Sequence, residues 1–142
     1  MRLIIICLIS LTLLSCSKEE PKWEWCEQCT MEMIAGTYTG KANSSRYQFR
    51  TELWEDTKDI DITITISGSA RYMNVLIHAP GYYYHRFVNN YTNSYYLTDG
   101  DIFNATIWKQ DDQLKLVGVC KNYSVGLVIQ VVDFVVFQQP DS

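Results

Sequence analysis

Alternation with a period of two runs through most of the chain. Its purest instance sets Ile60, Ile62, Ile64 and Ile66 against Asp61, Thr63, Thr65 and Ser67, the pattern of a strand with one face buried and the other wet. Further strands are predicted at 37–42, 47–54, 72–79, 82–88, 94–98, 102–109, 114–121 and 125–137. Ser67-Gly68-Ser69, Pro80-Gly81, Asn89-Asn90, Asp99-Gly100, Asp111-Asp112 and Asn122 punctuate them as turns. The last run is apolar on both faces apart from Gln130 and Asp133. A strand of that kind needs core on one side and a second cover on the other, for which a helix is the candidate.

Two stretches near the start break this period. Over residues 23–34 a helical period of about 100° per residue puts Trp25, Cys26, Cys29 and Met33 on one face, predicting a short helix that ends before Gly36. Residues 36–138 accommodate eight strands of about 9 residues with loops of about 4. No helical crossover separates them. The expected fold is therefore all-β: a small antiparallel meander barrel of eight or nine strands with a short N-terminal helix, or a sandwich as the alternative. Closure removes the edges that such Thr-, Ile- and Val-rich strands would otherwise expose, which favours the barrel. The one-sided apolar face of 59–67 argues against a barrel that spans a membrane.

The other break is an apolar run over 3–14, preceded by Arg2 and followed by Ser17-Lys18-Glu19-Glu20-Pro21. About 12 apolar residues are too few for a permanent transmembrane helix, which needs roughly 20. A cleaved signal peptide is expected instead. Leu13-Leu14-Ser15-Cys16 resembles the lipobox of bacterial lipoproteins. The resemblance implies removal of 1–15, acylation of Cys16 and a tether over 16–22, followed by the helix over 23–34 and a β-domain over 35–142. Several acyl chains make such anchoring stable where one does not. Ser17 is not the aspartate that resembles an inner-membrane retention signal, and Lys18-Glu19-Glu20 resembles the export tract of Bacteroidota surface lipoproteins. The implied location is the outer membrane of a Gram-negative bacterium, with the cell surface preferred over the periplasmic face. A second resemblance lies in Ile34-Ala35-Gly36-Thr37-Tyr38-Thr39-Gly40, which is similar to the opening strand of lipocalin-like lipoproteins. Tyr38 stands where that family has tryptophan, and Thr98-Asp99 is followed by Gly100 where the family has tyrosine. This likeness implies the barrel and a ligand-binding role.

Charge narrows the partners. Twelve Lys and Arg against sixteen Asp and Glu give −4, and loss of Arg2 with the signal makes this −5. An acidic domain of this kind is not expected to bind nucleic acid. Asn43, Asn90, Asn104 and Asn122 head Asn-x-Ser/Thr triplets, which are glycan acceptors only in a eukaryotic secretory route. Beside a bacterial lipobox they read as coincidence.

The remaining chemistry is sparse. Of five cysteines, Cys7 leaves with the signal and Cys16 is acylated on this reading. Cys26, Cys29 and Cys120 remain, so at most one intrachain bridge forms in an oxidising compartment. Cys26–Cys29 is the preferred bridge and a Cys120 partner the runner-up. Cys120 shares a strand face with Leu114, Leu116 and Gly118, and is expected in the core. Cys26-Glu27-Gln28-Cys29 also has redox or half-zinc spacing, but no strand precedes it and two further zinc ligands are missing. His78 and His85 flank a tyrosine-rich hairpin with no nucleophile beside them. No metal, cofactor or catalytic function is expected.

Tyrosine is the unusual feature. Tyr82, Tyr83, Tyr84, Tyr91, Tyr95 and Tyr96 crowd one segment, and consecutive strand residues point to opposite faces, so not all can be core. Tyrosine offers large, rigid, amphipathic contact area. These six form the expected binding surface of a non-catalytic domain for a small molecule, glycan or protein. The alternative is a structural or accessory subunit of an outer-membrane envelope complex, in which the same rings face another subunit.

Overall fold

A computed structural model describes the backbone of residues 22–69, 72–93, 96–100, 102–124 and 128–140, and their side chains except 87–93, 124 and 128. Among the described residues nine strands and one short helix follow one another: β1 (Glu24–Trp25), α1 (Met31–Ile34), β2 (Gly36–Gln48), β3 (Leu53–Gly68), β4 (Tyr72–Ala79), β5 (Tyr82–Asn93), β6 (Tyr96–Asp99), β7 (Phe103–Gln110), β8 (Gln113–Ser124) and β9 (Val128–Gln138). All pairings are antiparallel. From β2 to β9 each strand pairs with the next in sequence, and β9 also pairs with β2. The series of hydrogen-bonded pairs thus returns to its start, and β1 lies outside it against β7.

Alternation decides which side chains enter this ring. Ile62, Ile64, Ile66, Val75, Ile77, Leu116, Val132 and Val136 are buried, while the residues between them face outward. Aromatic rings occupy the middle: Phe103 stacks on Tyr84 at 5.8 Å and on Phe134 at 6.1 Å between ring centres. Gly118 is required at one wall, because a Cβ there would stand 2.4 Å from the Asn104 carbonyl oxygen.

The two ends of the ring differ. At one end the chain enters, and Ile34 of α1 is buried beneath Tyr38, whose hydroxyl donates to the Ile34 carbonyl at 2.7 Å. Gln138 Nε2 donates to the carbonyls of Met33 and Ala35 at 2.8 and 3.0 Å, tying the helix to β9. The turns after β2 and β4 lie at the other end. There β2, β3, β8 and β9 run on past the β4–β5 turn, because β3 pairs with β4 only over Thr63–Gly68.

Three expectations require correction. The helix over 23–34 shrinks to Met31–Ile34. Glu24 and Trp25 pair with Lys109 and Trp108, the Cys26 N–H donates to the Ile107 carbonyl at 3.0 Å, and a Cys26–Cys29 disulfide tightens the turn between strand and helix. The strand at 47–54 is instead a hairpin turn, with Glu52 at φ 51° and its two ends belonging to β2 and β3. Its aromatic residues mimic a strand because both flanks of the turn are strands. Nor does the helix cover the outer face of β9: Trp23 packs on Phe137 at 5.8 Å, and Val135 remains 43% exposed.

Candidate binding site

The β2–β3 pairing contains one irregularity that shapes the far end of the ring. Ala42 faces Ile60, but Ser44 faces Thr57, so β3 carries one additional residue there. This is a β-bulge, with Asp59 at φ 57° and its N–H donating to Asn43 Oδ1 at 3.2 Å. An added residue reverses the parity of everything before it. Ile60, Ile62, Ile64 and Ile66 face inward on even numbers, whereas Glu55 and Thr57 face inward on odd ones. Trp54 is thereby turned outward.

Two cross-strand rows lie beyond the bulge, which sets the β3 member of each. The inward row runs Asn122, Gln130, Arg46, Glu55 across β8, β9, β2 and β3. With Ser44, Thr57, Ile60, Pro80 and Gly81 these residues line a half-open cup of about 400 Å³. Ser44, 8% exposed, accepts a hydrogen bond from Gln130 Nε2 at 2.9 Å at the boundary between cup and apolar interior. The outward row runs Tyr123, Ile129, Tyr47, Trp54 across the same strands. Tyr47 lies 4.9 Å from both Trp54 and Phe49, and Trp54 is 62% exposed. Beyond the bulge the wall is inside-out: polar within, aromatic without.

The tyrosines singled out from the sequence do not form one surface. Tyr82 and Tyr84 are corrected from surface to core, at 3% and 7% exposure. The Tyr82 hydroxyl donates to Cys120 Sγ, and Tyr84 donates to Asp99 Oδ2 at 3.1 Å, where Arg86 also reaches at 3.4 Å. Tyr83 alone of the three is outward and exposed, beside His78 across the β4–β5 pair. Tyr96 is half-buried and donates to Asn104 Oδ1 at 2.6 Å. Tyr95 and the side chain of Tyr91 lie outside the described residues, as does Cys16. The sequence marks neither row as a site: Asn122 reads as a turn residue, Gln130 as a polar exception in an apolar run, and the aromatic cluster Tyr47, Phe49 and Trp54 beside Arg46 and Glu55 as a strand of its own.

Burial sets the protonation of the interior groups. Burial pushes the Cys120 thiol up to about 11, against the opposing effect of the Tyr82 hydrogen bond. Burial likewise raises Tyr82, Tyr84 and Tyr38 well above the usual phenol range. A thiol protonated at neutral pH is a poor nucleophile. His85 accompanies Asn74 on the outside of the wall at 2.6 Å, so wall backbone separates it from Cys120. Among the described residues no group of three His, Cys, Asp or Glu is close enough to hold a metal ion. No described helix is long and apolar enough to cross a membrane. No protein-family model matches the chain, and no curated protein and no solved structure matches it.

Proposed function

We propose that the protein is a lipid-anchored, non-catalytic binding module, acylated on Cys16 and held on the outer membrane of a Gram-negative bacterium with its domain at the cell surface. The observation that supports this reading is the difference between the two ends of the ring. The chain enters and is plugged by Ile34 at one end, and the cup opens at the other. β9 spans eleven residues between those ends, a length of roughly 35 Å at about 3.3 Å per residue. A tether at Cys16 would then hold the plugged end at the bilayer and turn the cup away from it. The aromatic rings in the interior fit recognition at the rim better than a deep apolar calyx of the lipocalin kind.

Metabolic labelling with a palmitate analogue and fractionation of the envelope test the anchor. The full chain is expected to label, to sediment with outer membrane and to be digested by protease added to intact cells. Cys16→Ala is expected to lose the label and leave the membrane. If that variant still labels and sediments, the lipoprotein reading fails. A second reading, an accessory subunit of an envelope complex, is favoured by the outward row Tyr123, Ile129, Tyr47 and Trp54, whose two end residues are exposed. It predicts that the protein co-sediments in a larger assembly and that Trp54→Ala releases it.

A further inference from the structure

The geometry points to a chemical class for the occupant of the cup: a neutral polyhydroxylated ligand of mono- to disaccharide size, bound by Asn122, Gln130, Arg46 and Glu55. This rests on the binding-module reading and names its site.

Three observations carry it. The first is the reversed polarity of the wall. An apolar residue at the inward positions of this end would simply lengthen the core, and apolar rings are present on these same strands. The bulge at Asp59 sends Trp54 outward and Glu55 and Thr57 inward instead. The bulge thus brings Glu55 and Thr57 to an inner face on which Arg46, Gln130 and Asn122 already stand by the uninterrupted alternation of β2, β9 and β8.

The second is the donor and acceptor balance. Arg46 and Glu55 oppose each other across one strand pair, so the row has no net charge. A phosphate or carboxylate ligand would want an excess of donors and positive charge. Guanidinium supplies donors only, carboxylate acceptors only, and the two amides both. A sugar hydroxyl donates once and accepts twice, so a set of vicinal hydroxyls satisfies a mixed row of this kind where a simple ion does not.

The third is preorganisation. Gln130 is restrained by the bond its Nε2 donates to the largely buried Ser44, which leaves its side-chain oxygen as an acceptor for a ligand. Pro80 and Ile60 in the lining offer apolar contact for the C–H face of a ring. The volume of about 400 Å³ lies in the lower part of the range for small-molecule sites.

Saturation-transfer NMR on the full-length lipoprotein in detergent tests the assignment. The probes are glucose, galactose, N-acetylglucosamine, maltose and lactose, with inorganic phosphate and glycine as charged and zwitterionic comparators. At least one neutral sugar is expected to receive saturation, with affinity at least tenfold weaker in Arg46→Ala and in Gln130→Ala, and unchanged in Trp54→Ala. Circular dichroism of each variant checks that the sheet is intact. Transfer lost in Trp54→Ala but kept in the cup variants would move binding to the outer aromatic row, overturning the cup while sparing the binding-module reading. Phosphate or glycine shifting the amide resonances of the cup where no sugar does would overturn the ligand class. Absence of transfer to all five sugars would overturn the proposal outright, while the labelling and fractionation of Cys16→Ala judge the anchor independently.

Discussion

The backbone N–H of Asp59 donates to the side-chain oxygen of Asn43 across the β2–β3 pair at 3.2 Å, and this single bond marks where the inner and outer faces of β3 exchange. Asp59 adopts a left-handed conformation at φ 57°, which glycine tolerates without the steric penalty that a Cβ brings. Asn43→Ala is expected to lower stability by about 0.5–1.5 kcal/mol. Asp59→Gly keeps the hydrogen-bond donor and is expected to leave stability within about 1 kcal/mol of the wild type. Urea unfolding of both variants checks this. A large loss in Asp59→Gly with none in Asn43→Ala would mean that the Asp59 side chain, and not its backbone N–H, holds the bulge.

Tyr38 closes the plugged end. Its ring is wholly buried and its hydroxyl donates to the Ile34 carbonyl, also buried. Tyr38→Phe conserves the ring but removes the donor, so a loss of about 1–3 kcal/mol is expected. The same unfolding experiment reads it. An unchanged midpoint would show that water replaces the hydroxyl at no loss.

The Cys26–Cys29 bridge closes a very short loop, with a sequence separation of 3. Chain-entropy reasoning assigns such a loop about 2 kcal/mol. Reduction is expected to lower the unfolding free energy by that amount without dissolving the ring, because β1 makes only two residue pairs with β7. The double variant Cys26→Ala, Cys29→Ala should match the reduced protein and be insensitive to reductant. A variant that unfolds entirely would show that the N-terminal segment, beyond capping the domain, is required for the sheet.

Stability is expected to fall at alkaline pH. The folded Cys120 thiol binds its proton more tightly than an unfolded one, with a pKa raised from 9.0 to about 11. Its contribution is present below pH 9 and is lost as pH rises through about 11, amounting to roughly 2–3 kcal/mol. Tyr38, Tyr82 and Tyr84, raised in the same direction from 10.0, steepen the fall above pH 10. Urea midpoints measured at pH 8, 9, 10 and 11 should decline over the last three, and Cys120→Ala should decline less. A thiol reagent at pH 8 should modify Cys120 only after denaturant is added.

Much of the fold was legible because alternation is a local property. Tyr72–Ala79 reads as a strand from its residues alone and is one. The inward set Ile62, Ile64 and Ile66 follows from period two without knowledge of any partner. Cys120 reads as core from its strand face, and its exposure is zero. The helix was overextended because 100° spacing in Trp25, Cys26 and Cys29 also fits residues held by a disulfide and a two-residue pairing. Tyr82 and Tyr84 could not be told from Tyr83 by composition. Parity separated them, but parity needs an absolute reference to the core.

The sequence by itself determined the all-β class and the alternating core, since each depends on residues near one another in the chain. It also determined the Cys16 motif, from which the expectation of a lipid anchor comes. Only the tertiary structure decided what the end away from the chain entry presents. Which β3 residues join its inner face depends on one additional residue in β3, visible only when Ala42 and Ser44 are matched to Ile60 and Thr57 across the pair. Read without the bulge, Trp54 belongs inside and Glu55 outside; pairing reverses both. Register is a relation between strands, and no single strand carries it.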